Sequence, residues 1–152
     1  PTVGKNAENT DVQNIIGKMN QKIIHRGPDE DAFFVEHLED KTIAFAMRRL
    51  SIVDLSTGKQ PIFTEDKSKV IVFNGQIYNS EVLKKTLVQK GFAFHTSSPA
   101  EVVLKLYECF GLDAFKMLDG VFAFSIYDKI LGKILRKSIY FNITHVEPVP
   151  PS

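Results

Sequence analysis

Asn74 and Gly75 are the pair whose types and position best suit chemistry in this sequence. They follow Val70–Phe73, an apolar run that predicts a buried strand ending in a glycine turn. A rigid strand end can aim the asparagine NH₂ group at a ligand, and glycine lets a backbone N–H approach closely. Two such donors can stabilise negative charge developing on a carbonyl oxygen, as an oxyanion hole does. An ordinary Asn-Gly turn without chemistry is the alternative interpretation.

Two further positions carry groups that could bind or react. Arg48 and Arg49 follow a predicted strand, where an arginine can hold a carboxylate through two hydrogen bonds or form only a surface salt bridge. His25 lies beside Arg26 and Asp29, yet no serine or cysteine nucleophile evidently pairs with it, which favours a structural loop.

Cysteine and histidine give little sign of reactive or metal chemistry. Cys109 falls on the apolar face of a predicted helix, three residues after Leu106, so we expect a small core residue. The four histidines include no close pair, and no metal site is therefore expected. They are His25, His37, His95 and His145.

The first half of the chain predicts a helix, a hairpin and a further strand. Thr10 and Gln13 form a capping box before apolar residues at helical spacing, which predicts a helix over about 11–24. Residues 32–37 and 42–48 predict a strand hairpin, with Ile43, Phe45 and Met47 on one face, and residues 69–73 predict the strand that leads to Asn74.

The second half predicts two helices, two strands and a divergent end. The helices are expected from Asn79 or Ser80 to about Lys90, capped by Gly91, and from Ser98-Pro99-Ala100-Glu101 onward. Strands are expected over 92–96 and, covered on both faces, over 121–127. Residues 129–141 predict a basic amphipathic helix or an irregular segment, followed by a loose proline-rich tail. This order favours α+β layers over alternating βαβ units.

Composition indicates one soluble globular domain. The chain has 152 residues, 43% hydrophobic and 24% charged, and a formal net charge of +1. That charge argues against nucleic-acid binding through bulk electrostatics. No apolar run is long enough for a membrane span, and the first residues lack a signal-peptide core. A single cysteine excludes an internal disulfide, so the cytoplasm is the expected location.

Five blocks together resemble the class II glutamine amidotransferase domain of asparagine synthetases over about residues 15–128. They are His25-Arg26-Gly27-Pro28-Asp29, the run from Arg48 to Ser56, Gln60-Pro61, the run from Val70 to Asn79, and the run from Asp119 to Phe124. The resemblance implies the N-terminal-nucleophile fold, an α-β-β-α sandwich of two antiparallel sheets between helical layers. It places the amidotransferase-like domain at residues 1–128 and leaves 129–152 as a divergent segment.

The resemblance also implies roles for individual residues. Asn74 and Gly75 match the oxyanion-hole pair, Arg49 matches the arginine that binds the glutamine α-carboxylate, and the backbone near Leu50 and Ile52 would line the same pocket. In the family an N-terminal cysteine attacks the glutamine side-chain amide, and the ammonia passes to a synthetase domain that makes asparagine. The glutaminase domain needs no cofactor, since ATP and Mg²⁺ belong to the synthetase domain.

Departures from the family pattern weaken the expected activity. The family begins Cys-Gly-Ile, whereas this sequence begins Pro1-Thr2-Val3, so the nucleophile is absent from it. Gln76 and Pro99 replace the two family acids that surround the substrate ammonium. Without a counter-charge the ammonium loses hydration at a cost of several kcal/mol. The synthetase domain is not present either, which predicts a truncated chain, inactive alone.

Two classes of function therefore remain open. The chain is either a glutaminase domain or a non-catalytic binding module on the same fold. In both cases the expected ligand is glutamine or glutamate, bound weakly if at all. A separate synthetase domain or a second copy of the chain is the possible protein partner.

Overall fold

The computed structural model describes residues 3–26, 30–39, 41–49, 59–140 and 143–148. Internal contacts divide the chain into two compact units, Pro1–Leu55 and Ser56–Ser152. Each unit contains one antiparallel sheet together with helical residues, so the predicted α+β class is confirmed. No described helix has the length and apolar character needed to cross a membrane.

The first unit is a helix on a two-stranded hairpin. Helix α1 (Val3–Lys22) leads through a short 3-10 turn into strands β1 (Glu30–His37) and β2 (Thr42–Arg49). The strands pair in register along their whole length, from Glu30 opposite Arg49 to His37 opposite Thr42. The predicted hairpin is confirmed, with Ile43 and Phe45 buried on one face.

The predicted start of α1 is wrong. The helix begins at Val3, so Thr10 lies within it and cannot act as the N-cap residue. A capping box is a short local pattern that a helix interior also tolerates, and no proline interrupts residues 3–10. The C-terminal end is anchored by Arg48 of β2, whose Nε donates to the Asn20 carbonyl at 2.8 Å.

The second unit is built on a five-stranded antiparallel sheet. Its strand order follows the chain, and a helical connection separates the second strand from the third. The strands are β3 (Ile62–Phe63), β4 (Lys69–Ile77), β5 (Gly120–Asp128), β6 (Lys133–Tyr140) and β7 (Ile143–Pro148).

Two helices and a 3-10 segment supply apolar side chains to the core of this unit. They are α2 (Ser80–Gln89), α3 (Pro99–Phe110) and the 3-10 segment Gly111–Lys116. The α2 prediction is confirmed. Its end is a Schellman motif, in which the N–H of Gly91 donates to Val88 and that of Phe92 to Leu87, with Gly91 at φ +94°.

Strand β5 is buried on alternate residues over 121–125 and continuously over 126–128. Phe122, Phe124 and Ile126 enter the core, where the Phe124 ring meets Phe115 at 5.1 Å. Val121 is 41% exposed, so the expectation that 121–127 is covered on both faces is wrong for the start of the strand. The apolar run concealed an alternation because Val121 and Ala123 are apolar without being fully buried.

Residues 92–96 do not form the predicted strand. Their backbone donors are taken by a side chain instead of a neighbouring strand: the N–H groups of His95 and Thr96 donate to the Glu101 carboxylate at 2.9 and 2.7 Å. The Thr96 hydroxyl donates to the same carboxylate at 2.6 Å. Because Glu101 is turned toward this segment, the Ser98 N–H donates to the Thr96 hydroxyl instead of to Glu101.

Glu101 is ionised and almost fully buried, with 4% of its surface exposed. Burial alone would raise its pKa, but the hydrogen bonds from Thr96 and His95 and the charge of Lys105, 3.6 Å away, outweigh burial. The pKa of Glu101 therefore lies below its ordinary value of 4.5. The carboxylate stabilises the folded state above that pH, and the contribution is lost as the group is protonated.

Both alternatives predicted for residues 129–141, a basic amphipathic helix and an irregular segment, are wrong for residues 133–140, which form β6. A turn directs the chain back along β5: Asp128 accepts the N–H groups of Ile130 and Leu131, and Gly132 has φ +62°. The second Asp128 oxygen accepts the buried Tyr107 hydroxyl at 2.8 Å. Residues 143–148, expected as a loose tail, continue the sheet as β7, and residues 149–152 lie outside the described part.

The side chains of β6 alternate between the two faces of the sheet, and one buried lysine among them explains why the segment was predicted as a basic helix. Leu135 and Ile139 pack against the core, and Lys137 between them is buried with 6% exposed. Its Nζ donates to the Phe115 carbonyl. A lysine in the middle of an apolar face made the segment look basic and solvated, as an amphipathic helix would be. Burial lowers the pKa of Lys137, because it penalises the charged form.

Lys137→Met should stabilise the protein at pH 7. The change removes a buried ammonium and keeps an unbranched side chain of similar length, so we expect a gain of about 1 kcal/mol, or roughly 3 °C in Tm. Thermal unfolding followed by circular dichroism measures it. Lys133→Met, at an exposed position of β6, is the matched control and should change stability by less than about 0.5 kcal/mol. A loss of stability in Lys137→Met alone would contradict this interpretation.

Glu101→Gln should destabilise the protein by about 1–3 kcal/mol at pH 7, because a neutral amide cannot accept all the donors that face the carboxylate. Since the pKa of Glu101 is lowered, the difference from wild type should shrink as pH falls below 4.5. Urea unfolding at pH 7, 5 and 3.5 measures both effects. Glu81→Gln, exposed in the first turn of α2, serves as control, and a pH-independent difference for Glu101→Gln would refute the ionised assignment.

Candidate functional site

Asn74 and Gly75 lie inside a strand. The predicted strand end and glycine turn are both wrong, because β4 continues through Ile77 and pairs with β5 along its length. Asn74 is opposite Ala123 and Gly75 is opposite Phe122. The pair therefore sits on a rigid element, which is a better platform for aiming a donor than a turn.

The strand alternation separates the core residues from the candidate ligand groups. Phe73 and Ile77 are buried, whereas Asn74 and Gln76 are exposed. Successive side chains of a strand point to opposite faces, so the amide groups of Asn74 and Gln76 project from the face opposite the core. Neither amide has a hydrogen-bond partner among the residues that the structure describes, which leaves both available to a ligand.

The direction of the Gly75 N–H follows from the bonds on either side of it. Phe73 turns its N–H and carbonyl away from β5, toward the side-chain amide of Gln60 at 2.6 and 2.9 Å. Tyr78 turns its N–H the other way, to the Asp119 carbonyl at 2.7 Å. Backbone N–H groups of a strand alternate in direction from one residue to the next, so the Gly75 N–H points to the same outer edge of β4 as the N–H of Phe73. No residue in the described ranges is bonded to Gly75 there.

Glycine is required at position 75 by a close approach of two backbones. Its φ is +122°, and a Cβ atom there would lie 2.2 Å from the Val121 carbonyl oxygen and 2.6 Å from the Phe122 Cα. Gly120, across the same pair of strands, has φ +155° and would place a Cβ 2.2 Å from the Gln76 carbonyl oxygen. The two glycines let β4 and β5 meet more tightly here than side chains permit.

The end of β4 is also fixed by a polar bridge that sequence reasoning missed. The Asn79 side chain donates to the Met117 carbonyl at 2.8 Å and accepts the Asp119 N–H at 3.1 Å. It thereby ties the start of α2 to the residues that enter β5. The sequence signal for Asn79 was only that of a helix start, because the bridge joins positions about forty residues apart.

Two candidate hydrogen-bond donors lie on adjacent residues of one strand. The Asn74 Nδ2 group has no described hydrogen-bond partner, and the alternation of the ladder directs the Gly75 N–H to the outer edge of β4. Two neutral donors that meet one atom suit a carbonyl oxygen, and they bind it more strongly as it gains negative charge. The role of Asn74 and Gly75 as such a pair stays a prediction.

The predicted carboxylate-binding residues lie in the other unit or outside the described residues. Arg49 ends β2, and its side chain is not described; Leu50 and Ile52 fall within the undescribed residues 50–58. The Arg48 Nε group donates a hydrogen bond to the Asn20 carbonyl. The roles of Arg49, Leu50 and Ile52 stay predictions.

Gln76 and Pro99 occupy different layers of the second unit. Gln76 is exposed on β4, whereas Pro99 is the first residue of α3, directly after the N-cap Ser98. The Ser98 hydroxyl accepts the Ala100 N–H at 3.2 Å, so the predicted helix start is confirmed. Neither side chain can carry a negative charge. The predicted loss of both ammonium partners rests on the sequence, and their place in a common pocket stays a prediction.

The remaining candidates take no part in this site. Cys109 packs against the core as expected, and His25 is exposed in the 3-10 turn after α1. Within the described ranges, no three His, Cys, Asp or Glu side chains come together as metal ligands. In the sequence motifs Gln60 appears only as part of the Gln60-Pro61 block, although its side chain is bonded to the strand that carries Asn74 and Gly75.

The family model and the sequence relatives that match this chain indicate the same family. Residues 2–137 match the family model described as a glutamine amidotransferase domain, which extends past residue 128 into β6. An asparagine synthetase [glutamine-hydrolyzing] 1 from Bacillus subtilis is 43% identical over 123 residues, covering 81% of this chain and 19% of that protein. An asparagine synthetase [glutamine-hydrolyzing] 1 from Arabidopsis thaliana is 40% identical over 111 residues, covering 73% and 18%. The chain thus spans about a fifth of the length of these relatives.

Solved structures share the fold at low sequence identity. A glutamine phosphoribosylpyrophosphate amidotransferase from B. subtilis, complexed with ADP and GMP, superimposes with a TM-score of 0.59 at 20% identity, covering 78% of this chain and 32% of that one. An allosteric regulatory enzyme of purine biosynthesis gives 0.62 at 22% identity, with 76% and 32% covered. At this identity the likeness concerns the fold alone, and it confirms the predicted fold of N-terminal-nucleophile type.

Gly75→Ala should cost about 2 kcal/mol or more, because a Cβ at this position collides with the backbone of β5. Gly91→Ala is the matched control: Gly91 also has a positive φ, +94°, but a Cβ atom there would meet nothing within 4 Å. The difference between the two free energies of unfolding, measured in urea, isolates the close approach from the backbone preference. Equal losses in both variants would show that the approach of β4 and β5 is not tight.

Proposed function

Because the chain belongs to the glutamine amidotransferase domain family, we propose that it binds the side-chain amide of glutamine at Asn74 and Gly75, as the glutaminase domain of an asparagine synthetase. The observation that carries this proposal is the pair of donors on β4. The Asn74 residue is exposed and its amide has no described hydrogen-bond partner, and strand alternation directs the Gly75 N–H to the outer edge of β4.

The carbonyl oxygen of the glutamine amide is the group that these donors suit. It accepts both hydrogen bonds in the ground state, and its negative charge grows when a nucleophile attacks the amide carbon. The chain's single cysteine is unsuited to that attack, because Cys109 packs against the core on α3, away from the exposed face of β4. Hydrolysis would need a nucleophile from outside the described residues, as the family supplies one at its N-terminus.

A binding module without turnover is the second candidate, and the uncharged residues at positions 76 and 99 favour it. The α-ammonium of glutamine would meet an amide at Gln76 and a pyrrolidine ring at Pro99, so its charge would be left to water. The carboxamide could still be recognised at Asn74 and Gly75. We therefore expect weak binding of glutamine and also of glutamate, whose side-chain carboxylate can accept the same two hydrogen bonds.

The proposal extends to the chain's surroundings. The ammonia released by such a domain would serve a synthetase domain, joined to it or separate, that uses ATP and Mg²⁺ to make asparagine. The glutaminase half needs no cofactor of its own. The free Cys109 suits a reducing compartment, so we place the protein in the cytoplasm. A pair of chains joined as a homodimer is also compatible with this function.

L-glutamine should bind the purified chain, and the site can be tested with substitutions at two nearby positions of one strand. Asn74→Ala should weaken binding about tenfold by removing one donor. Gln76→Glu should tighten it about two- to fivefold by giving the ammonium a partner. Perturbation of ¹⁵N-labelled amide resonances during titration measures each Kd, and ammonia release is followed in parallel.

Gln89→Glu, which adds the same charge on the exposed surface of α2, is the control for Gln76→Glu and should leave the Kd unchanged. Binding that survives Asn74→Ala without loss of affinity would disprove the role of the β4 donors. Binding without ammonia release identifies the non-catalytic module, whereas steady ammonia release that is lost in Asn74→Ala identifies the glutaminase.

A further inference from the structure

Gln60 occupies the position of a strand residue but pairs through its side chain. The β3–β4 register places Ile62 opposite Ile71 and Phe63 opposite Val70, and continuing it by two residues places Gln60 opposite Phe73. Gln60 lies two residues before β3 begins. The Gln60 Oε1 accepts the Phe73 N–H at 2.6 Å and its Nε2 donates to the Phe73 carbonyl at 2.9 Å. These are the two bonds that a neighbouring strand would make.

The Gln60 side chain satisfies backbone groups of Phe73 that would otherwise lack hydrogen-bond partners. The Phe73 residue is buried, packed in the core beside Phe122 at 6.2 Å between ring centroids. A buried N–H and carbonyl without partners would be strongly unfavourable, because each would lose its hydrogen bonds to water without a replacement. The carboxamide of Gln60 meets both needs at once, because it carries one donor and one acceptor in the geometry of a peptide group.

The Gly75 N–H of the donor pair lies on the same edge of β4, two residues after Phe73. Phe73 and Gly75 direct their backbone groups to this edge, and the Asn74 side chain leaves the strand between them. The bond to Gln60 fixes the plane of the peptide group that enters Asn74. Since Gly75 is an intrinsically permissive residue at φ +122°, the orientation of its N–H depends on the residues that hold the strand before it.

We propose that Gln60 is a positioning residue for the Asn74–Gly75 donor pair: its carboxamide replaces a strand at Phe73 and so sets the direction of the two donors. This inference rests on the proposed glutamine site for its functional consequence, but the orientation itself is a property of β4. Gln60 touches no ligand in this proposal and acts through the Phe73 backbone.

Gln60→Glu tests the proposal with a reversible change. At pH 7 the introduced carboxylate has no donor for the Phe73 carbonyl and repels it. A protonated carboxyl group has one donor and one acceptor, as the amide has, and its ordinary pKa is about 4.3. The carboxylate still accepts the Phe73 N–H, so the bond that is lost is the one to the Phe73 carbonyl, and we expect the Gly75 amide and Asn74 side-chain resonances to be shifted at pH 7. Both should return toward wild type as pH falls to about 4.

Gln60→Met and Gln89→Glu complete the series. The methionine variant has no titrating group, so its altered Phe73 exchange should not recover at low pH, whereas Gln89→Glu on α2 should match wild type throughout. The affinity for L-glutamine should fall about tenfold in Gln60→Glu at pH 7 and recover with the same pH profile. A simple loss of packing would not reverse on protonation, so the pH profile separates positioning from a general structural defect.

These measurements distinguish a failure of the positioning role of Gln60 from a failure of the glutamine site. Wild-type Gly75 and Asn74 resonances in Gln60→Glu at pH 7, or Phe73 protection that survives Gln60→Met, would overturn the positioning role whether or not glutamine binds. Resonances that shift and recover with pH in a chain that does not bind glutamine would support the positioning of the donors and refute the glutamine site. Affinity that stays at the wild-type value while the resonances shift would overturn the functional consequence.

Discussion

The pairing of β4 with β5 is the constraint on which the second unit depends. It runs without interruption from Lys69 opposite Asp128 to Ile77 opposite Gly120. One face of the pair supplies Phe73, Phe122 and Phe124 to the core, and the other presents Asn74 and Gln76. The ladder therefore couples core packing to the orientation of the candidate ligand groups. At its end, glycines on both strands allow a backbone approach that no other residue type permits.

Buried polar residues stabilise or destabilise the folded state according to how many hydrogen-bond partners they have. Glu101 accepts three hydrogen bonds and lies beside Lys105, so one carboxylate fastens the segment before α3 to the helix. Lys137, by contrast, has the Phe115 carbonyl as its hydrogen-bond acceptor, and its charge is penalised by burial. The first side chain organises its surroundings, whereas the second imposes a cost that the remaining apolar contacts of β6 must offset.

The start of α3 needs no particular side chain at position 99. The Ser98 hydroxyl caps the helix and Pro99 fits its first turn, where a missing N–H costs nothing. Gly75, by contrast, belongs to the strand ladder and cannot change without disturbing β5. The fold therefore constrains position 75 more tightly than position 99.

The sequence by itself determined the family, the α+β class, the β1–β2 hairpin and both helices of the second unit. These features rest on local patterns: alternation, capping residues and contiguous motifs. Tertiary structure alone decided that Asn74 and Gly75 lie within a strand, that His95 and Thr96 bond to Glu101 and that residues 133–140 form β6. It also decided that Gln60 bonds to β4 and that Asn79 bonds to Met117 and Asp119. The reason is physical: each of these depends on which backbone donors and acceptors of another segment are left unpaired, and the sequence pattern of one element does not record that.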